Sequence, residues 1–305
     1  YSCADLFGQT LLLEEAEIAL MQIMNNTRQM DIISIVGMPV IVNSTLMNCA
    51  IALRKGKILG VVPKTYLPND RENAEQRWFS SASVHSETSI RLCGQNVPFG
   101  TNLLFDTSET CFGIEVGQDL WAPVPPSSTL ALKGAEIIFN LSSSNCVTGK
   151  HQFRQRMITQ QSARVHCGYV YTSSGIGEST TDIVFSGSTY IAENGDMLEI
   201  GERFQMESSM IISEIDVERL RIDRQRNTNF THDKHGHYRH IQVAPLERIS
   251  EDGSAYSLEF RGKENWRNLT DKDINTMVCQ CVAEKGVNIS TNEMWTALKS
   301  DMVDH

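Results

Sequence analysis

Residues 112–121 read FGIEVGQDLW. An apolar run from Phe112 to Val116 stops at Gly117, and acidic and aromatic residues follow. The run has the length and composition of a buried strand. In an α/β protein, chemistry collects just beyond such strand ends. Here that place is held by glycine, which has no side chain. The position is either a turn or a site without its reactive group.

The neighbouring segments supply the layers such a strand needs. Upstream, apolar residues at helical spacing predict a helix over 11–28. Buried strands are expected over 31–42 and 45–53, then a turn at 54–57 and a returning strand over 58–62. Residues 63–97 are too long and too polar for a simple connection, and loops of this kind tend to be functional. A further strand is expected over 101–105, beside one over 111–116. Downstream, 125–132 opens like a helix, with proline early. Residues 136–141 read as a strand, 150–166 as a helix and 168–172 as a strand. Strands over 182–191 and 196–200 flank Glu193-Asn194-Gly195, a strong hairpin turn. Residues 209–215 read as a last strand and 216–226 as a charged helix or turn. Strand–helix–strand units mixed with hairpins predict a layered α/β domain with a mixed sheet over residues 1–245.

Composition shifts after residue 245. Residues 246–305 read as a short helical appendage with apolar stripes at 274–282 and 294–302, packed on the body or on a partner. The chain has 305 residues, 41% hydrophobic and 21% charged, with a formal net charge of −10. That balance disfavours nucleic acid and anionic membrane as partners, since both require clustered Lys and Arg. The longest apolar stretch, 32–42, contains a Gly and a Pro and is too short to span a bilayer. Eight cysteines without a framework spacing read as buried thiols of a reducing, cytoplasmic compartment.

Several blocks together carry a family resemblance: YSCADLF at 1–7, VPKTYLP at 62–68, RWF at 77–79, GIE at 113–115, DLWAPVPPSS at 119–128, NLSSSN at 140–145 with GK at 149–150, and GESTTD at 177–182. RQRNT at 224–228 matches more loosely. They resemble, in order, the N-terminal glutaminase domain of glutamine-dependent NAD synthetases, within the nitrilase or carbon–nitrogen hydrolase superfamily. The resemblance implies an α–β–β–α sandwich whose first strand and helix precede Tyr1, and assembly into homo-oligomers across helices. It also implies a Glu–Lys–Cys triad acting on glutamine, with ammonia passed to a synthetase domain that uses ATP and magnesium. The glutaminase domain itself takes no cofactor.

Carried over residue by residue, the resemblance places the oxyanion-stabilising lysine at Lys64 and the nucleophile at Gly117, where no thiolate is available. The base glutamate falls upstream of Tyr1. Tyr1, Asp70, Asn73, Gln118, Trp121, Ser144 and Lys150 fall on substrate-pocket positions, with Asp70 and Asn73 where aromatic residues are expected. The implied ligand is glutamine or another small amide, and the implied partner a synthetase domain or an active paralogue. No phosphate-binding SerGlyGly loop occurs after residue 245. The resemblance therefore implies a catalytically depleted glutaminase domain. Two alternatives stand beside it: a non-catalytic oligomerisation scaffold, or an amidase with a thiol relocated to Cys146. His232, His235, His237 and His240 lie within nine residues, and read either as a solvated loop or as a metal site.

Overall fold

The computed structural model describes residues 3–69, 73–181, 183–228, 230 and 236–244. Tyr1, Asp70, His232, His235 and the expected appendage at 246–305 lie outside the described residues. Helix α1 (Thr10–Asn26) leads into three strands, β1 (Ser34–Val42), β2 (Thr45–Arg54) and β3 (Lys57–Pro63). A small hairpin follows, β4 (Ser89–Leu92) and β5 (Gln95–Pro98), then β6 (Leu103–Asp106) and β7 (Cys111–Val116). The remainder runs α2 (Pro126–Leu132), β8 (Ile137–Ser142), α3 (Lys150–Arg164), β9 (Gly168–Ser173), β10 (Thr189–Glu193), β11 (Asp196–Ile200), α4 (Val217–Arg226) and β12 (Arg239–Gln242).

Strands β1–β2–β3 form one antiparallel sheet. A second, mixed sheet has the order β11-β10-β9-β8-β7-β6-β12. Within it β7, β8 and β9 run parallel, as do β6 and β12. The layers follow from the period-two alternation of β2. Cys49, Ile51 and Leu53 pack with Leu20 and Met24 of α1. Ala50 and Ala52 face the other way, onto Leu103, Phe105, Phe112 and Ile114 of the larger sheet. Leu130 and Ala131 of α2 and Ile158 of α3 cover its far side, against Ile138, Tyr169 and Tyr171. The result is an α–β–β–α sandwich. Its middle seam is tight: a Cβ on Gly60 would meet Leu103 at 2.9 Å and Phe105 at 3.1 Å. Phe105 stacks on Phe112 across 4.9 Å, and burying each ring contributes roughly 1.5–3 kcal/mol.

Four two-residue loops set strand register: Asn43-Ser44, Lys55-Gly56, Cys93-Gly94 and Asn194-Gly195. Both residues of each have positive φ, the conformation whose twist matches antiparallel strands. No helix among the described residues is long and apolar enough to cross a membrane.

Three expectations need correction. Residues 209–215 form no strand; Met210 and Ile212 stay 80% and 69% exposed, so this alternating segment has no sheet neighbour to bury it. Strand β10 begins at Thr189, not near 182. The long stretch 63–97 is not one open loop, because it contains β4 and most of β5.

Candidate active site

A cavity of about 420 Å³ opens beyond the carboxyl ends of the parallel strands β7, β8 and β9. Its floor is Val116 and Gly117 at the end of β7, Leu141 to Ser143 at the end of β8, and Thr172 to Ser174 at the end of β9. Met38, Pro39, Asn48 and Cys49 from the small sheet form the facing wall. Phe7, Trp78 and Phe79 close one side, with Phe7 and Phe79 edge to face at 4.9 Å. The exposed carboxylate of Asp5 ties these aromatic elements together, accepting from Arg77 Nε at 2.7 Å and Trp78 Nε1 at 2.9 Å.

Lys64 follows β3 and is 4% exposed. Its Nζ donates to both oxygens of Glu75, at 2.6 and 2.7 Å, and Glu75 is equally buried. Two charges removed from water are thus mutually compensated at the cavity wall. Among the described residues that line the cavity, Glu75 is the one carboxylate.

Gly117 opens a 3-10 turn, residues Gly117–Trp121, with φ of +51°. A left-handed backbone favours glycine. A Cβ there would fit without clash, 3.5 Å from Lys64 Nζ and 3.7 Å from both Leu141 O and Ser142 Oγ, ordinary contact distances. A side chain at 117 would point into the cavity beside the lysine.

Two buried groups hold this elbow. Asn140, on β8, accepts from the Gly117 N–H at 3.1 Å and donates to the Gly117 carbonyl at 3.3 Å. Asp119 accepts from the N–H groups of Val116 (3.1 Å), Thr65 (3.2 Å) and Tyr66 (2.8 Å). One carboxylate therefore fixes the end of β7 against the segment that carries Lys64. Burial pushes Asp119 up to about 7, against the pull of those N–H donors. Glu115 is also buried and its carboxyl raised by desolvation; it accepts from the Ser127 N–H at 2.7 Å and from the Tyr169 hydroxyl.

The structure brings Lys64 and Gly117 together. Of the other expected pocket residues, those that are described do not line this cavity. Gln118 lines a shallow neighbouring hollow with Thr65, Tyr66 and Gln76. Trp121 stacks on Phe153 at 5.6 Å, with Lys150 Nζ 5.2 Å from its ring. Ser144 accepts from the buried Arg154 at 3.0 Å. Asn73 is half-buried away from the cavity wall. Cys146 donates its N–H to Val184 O at 2.7 Å and does not line the cavity either. Cys49 does line it, but burial holds its thiol well above the usual range, so it offers no thiolate. Glu75, Asn140 and the bridging role of Asp119 went unread in the sequence. Glutamate and lysine mostly lie on surfaces, so a buried pair of them gives no local signal; only the fold brings them together.

The carbon–nitrogen hydrolase family matches residues 8–225. Over 244 residues the chain is 36% identical to a glutamine-dependent NAD(+) synthetase of Mycobacterium tuberculosis, covering 79% of this chain and 36% of that protein. The human glutamine-dependent NAD(+) synthetase is 30% identical over 231 residues, covering 72% of this chain and 32% of its own. The chain thus spans about a third of the length of these relatives. A solved glutamine-dependent NAD(+) synthetase from Cytophaga hutchinsonii superposes with a TM-score of 0.60 at 25% identity, over 68% of this chain and 33% of that one. A carbon–nitrogen hydrolase from Helicobacter pylori shares the fold, with a TM-score of 0.57 at 19% identity, covering 73% and 74% of the two chains. With its sandwich, its strand-end cavity and these relatives, the chain belongs to the carbon–nitrogen hydrolase family.

Proposed function

We propose that this chain is a glutaminase-type domain that has kept its amide cavity and lost hydrolysis. The observation that carries the reading is Gly117, whose missing side chain would stand 3.5 Å from Lys64 Nζ. Covalent amide hydrolysis needs a nucleophile to form the acyl–enzyme, and a lysine beside it to steady the oxyanion. The second is present and the first is not. The ligand is glutamine or another small amide, and the partner a synthetase domain or an active paralogue. ATP and magnesium act in that synthetase, not here. The apolar residues that α1 leaves exposed, Leu11, Ile18 and Met21, favour a second reading, a scaffold that assembles with itself or with such a paralogue.

The test is glutamate release from glutamine. The chain should give none above a buffer blank, and release by the unaltered protein would overturn the reading. Gly117→Cys should place a thiol in the cavity at a backbone cost of about 1–2 kcal/mol. Iodoacetamide should then modify residue 117 ahead of Cys49, and glutamine should slow that labelling. Labelling at 117 that ignores glutamine would mean that the cavity does not take the amide.

A further inference from the structure

The far end of β7 carries a second constellation, unconnected with the cavity. We propose that Cys111, Asp106 and His240 form a three-ligand site for a zinc-class divalent cation, with its fourth position open to water. Asp106 ends β6, Cys111 begins β7, and the two are register partners. His240 reaches them from β12, which pairs with β6. One ligand atom from each side chain lies within 4.8 Å of the others. A tetrahedral ion with bonds of about 2.0–2.3 Å sets its ligand atoms about 3.3–3.8 Å apart, so the side chains must close by up to about 1–1.5 Å to bind it.

Thiolate, imidazole and carboxylate together suit zinc and its neighbours, and not magnesium or calcium, which prefer oxygen alone. Without a cation, Asp106 is the shared acceptor. His240 Nδ1 lies 2.9 Å from Asp106 Oδ2, and the Cys111 thiol donates to the same carboxylate. On binding, the cation replaces the thiol proton, which leaves to solvent, and takes the Nδ1 lone pair of the imidazole, whose single proton then sits on Nε2. Gln242 Nε2, 2.8 Å from Asp106 Oδ2, orients the carboxylate from outside the ligand set. Glu136 is not a fourth ligand, because Arg221 and Thr110 engage it. His240 is 47% exposed, which gives the ion a route in and leaves room for water. The bound ion would join three strands and fasten β12 to the sheet.

The experiment uses the full chain, treated with chelator and titrated with cobalt(II). A thiolate-to-cobalt charge-transfer band should appear and saturate, and zinc should abolish it. The band should vanish in Cys111→Ser. In His240→Gln, an exposed change that leaves the core untouched, affinity should fall by at least about tenfold. Zinc should raise the melting temperature of the protein, and of neither variant. Histidines elsewhere in 232–240 cannot mimic the band, since they supply no sulfur. A missing band, a band unchanged in Cys111→Ser, or equal affinity in His240→Gln would each overturn the site.

Discussion

The two ends of β7 carry opposite arrangements. At the carboxyl end, Gly117 sits in a buried, closed network of Asn140, Asp119, Lys64 and Glu75 around a cavity. Lys64, Glu75, Asp119 and Asn140 all hold partners, and residue 117 carries no side chain. At the amino end, Cys111 sets a thiol beside Asp106 and an exposed His240. The difference shows that the elbow's hydrogen-bond frame needs no side chain at 117, because its bonds run to backbone groups that also hold the fold together. The Asp119 and Asn140 contacts shape the elbow whether or not residue 117 reacts.

The sharpest way to break this comparison is at the buried ion pair. Glu75→Ala leaves Lys64 charged and unpaired at 4% exposure, and should cost about 3–5 kcal/mol in urea unfolding. Removing both partners, as Lys64→Met with Glu75→Leu, should recover most of that loss. A single variant as stable as the parent would show that the pair does not hold the cavity wall.

A smaller effect is expected at the elbow. Asp119→Ala strips the acceptors from three backbone N–H groups and should cost about 1–3 kcal/mol by the same measurement. A negligible loss would mean that water replaces the carboxylate, and that the frame is not self-supporting.

The smallest effect sharpens the electrostatics. The folded-state value of Asp119 is raised to about 7 from 3.8, so the native state holds its proton more tightly than the unfolded chain. The stability this contributes is fully present below 3.8, is lost as pH rises to about 7, and is flat above. The stability gap between the protein and Asp119→Ala should therefore narrow across that window. A gap that widens with pH would show the reverse, a carboxylate kept ionised by its three donors.

Much of the sandwich is legible in the sequence because its strands are long apolar runs: β1, β2, β7, β8 and β9 all stand out. The Asn194-Gly195 turn is equally plain, since both residues accept positive φ. The β4–β5 hairpin escaped notice for the complementary reason. Its turn is Cys93-Gly94, with cysteine at φ +47°, and its strands offer little beyond Ile90, Leu92 and Val97. Residues 209–215 misled in the other direction, since alternation alone cannot supply a neighbouring strand. At the site, Lys64 and Gly117 were readable only through family resemblance. Glu75 was not, because its pairing with Lys64 depends on how an irregular loop folds back across eleven positions. Likewise, Cys111 and His240 lie far apart in sequence and meet only through β12.

That last strand has a consequence for the order of folding. β12 pairs with β6 across some 136 residues, whereas β6 and β7 meet within a short turn. Contacts this distant close late, after the local hairpins and the β7–β8–β9 crossovers have formed. During synthesis the β6 edge therefore stays bare until the chain has run to residue 242, and an unpaired edge is what a second nascent chain can recruit.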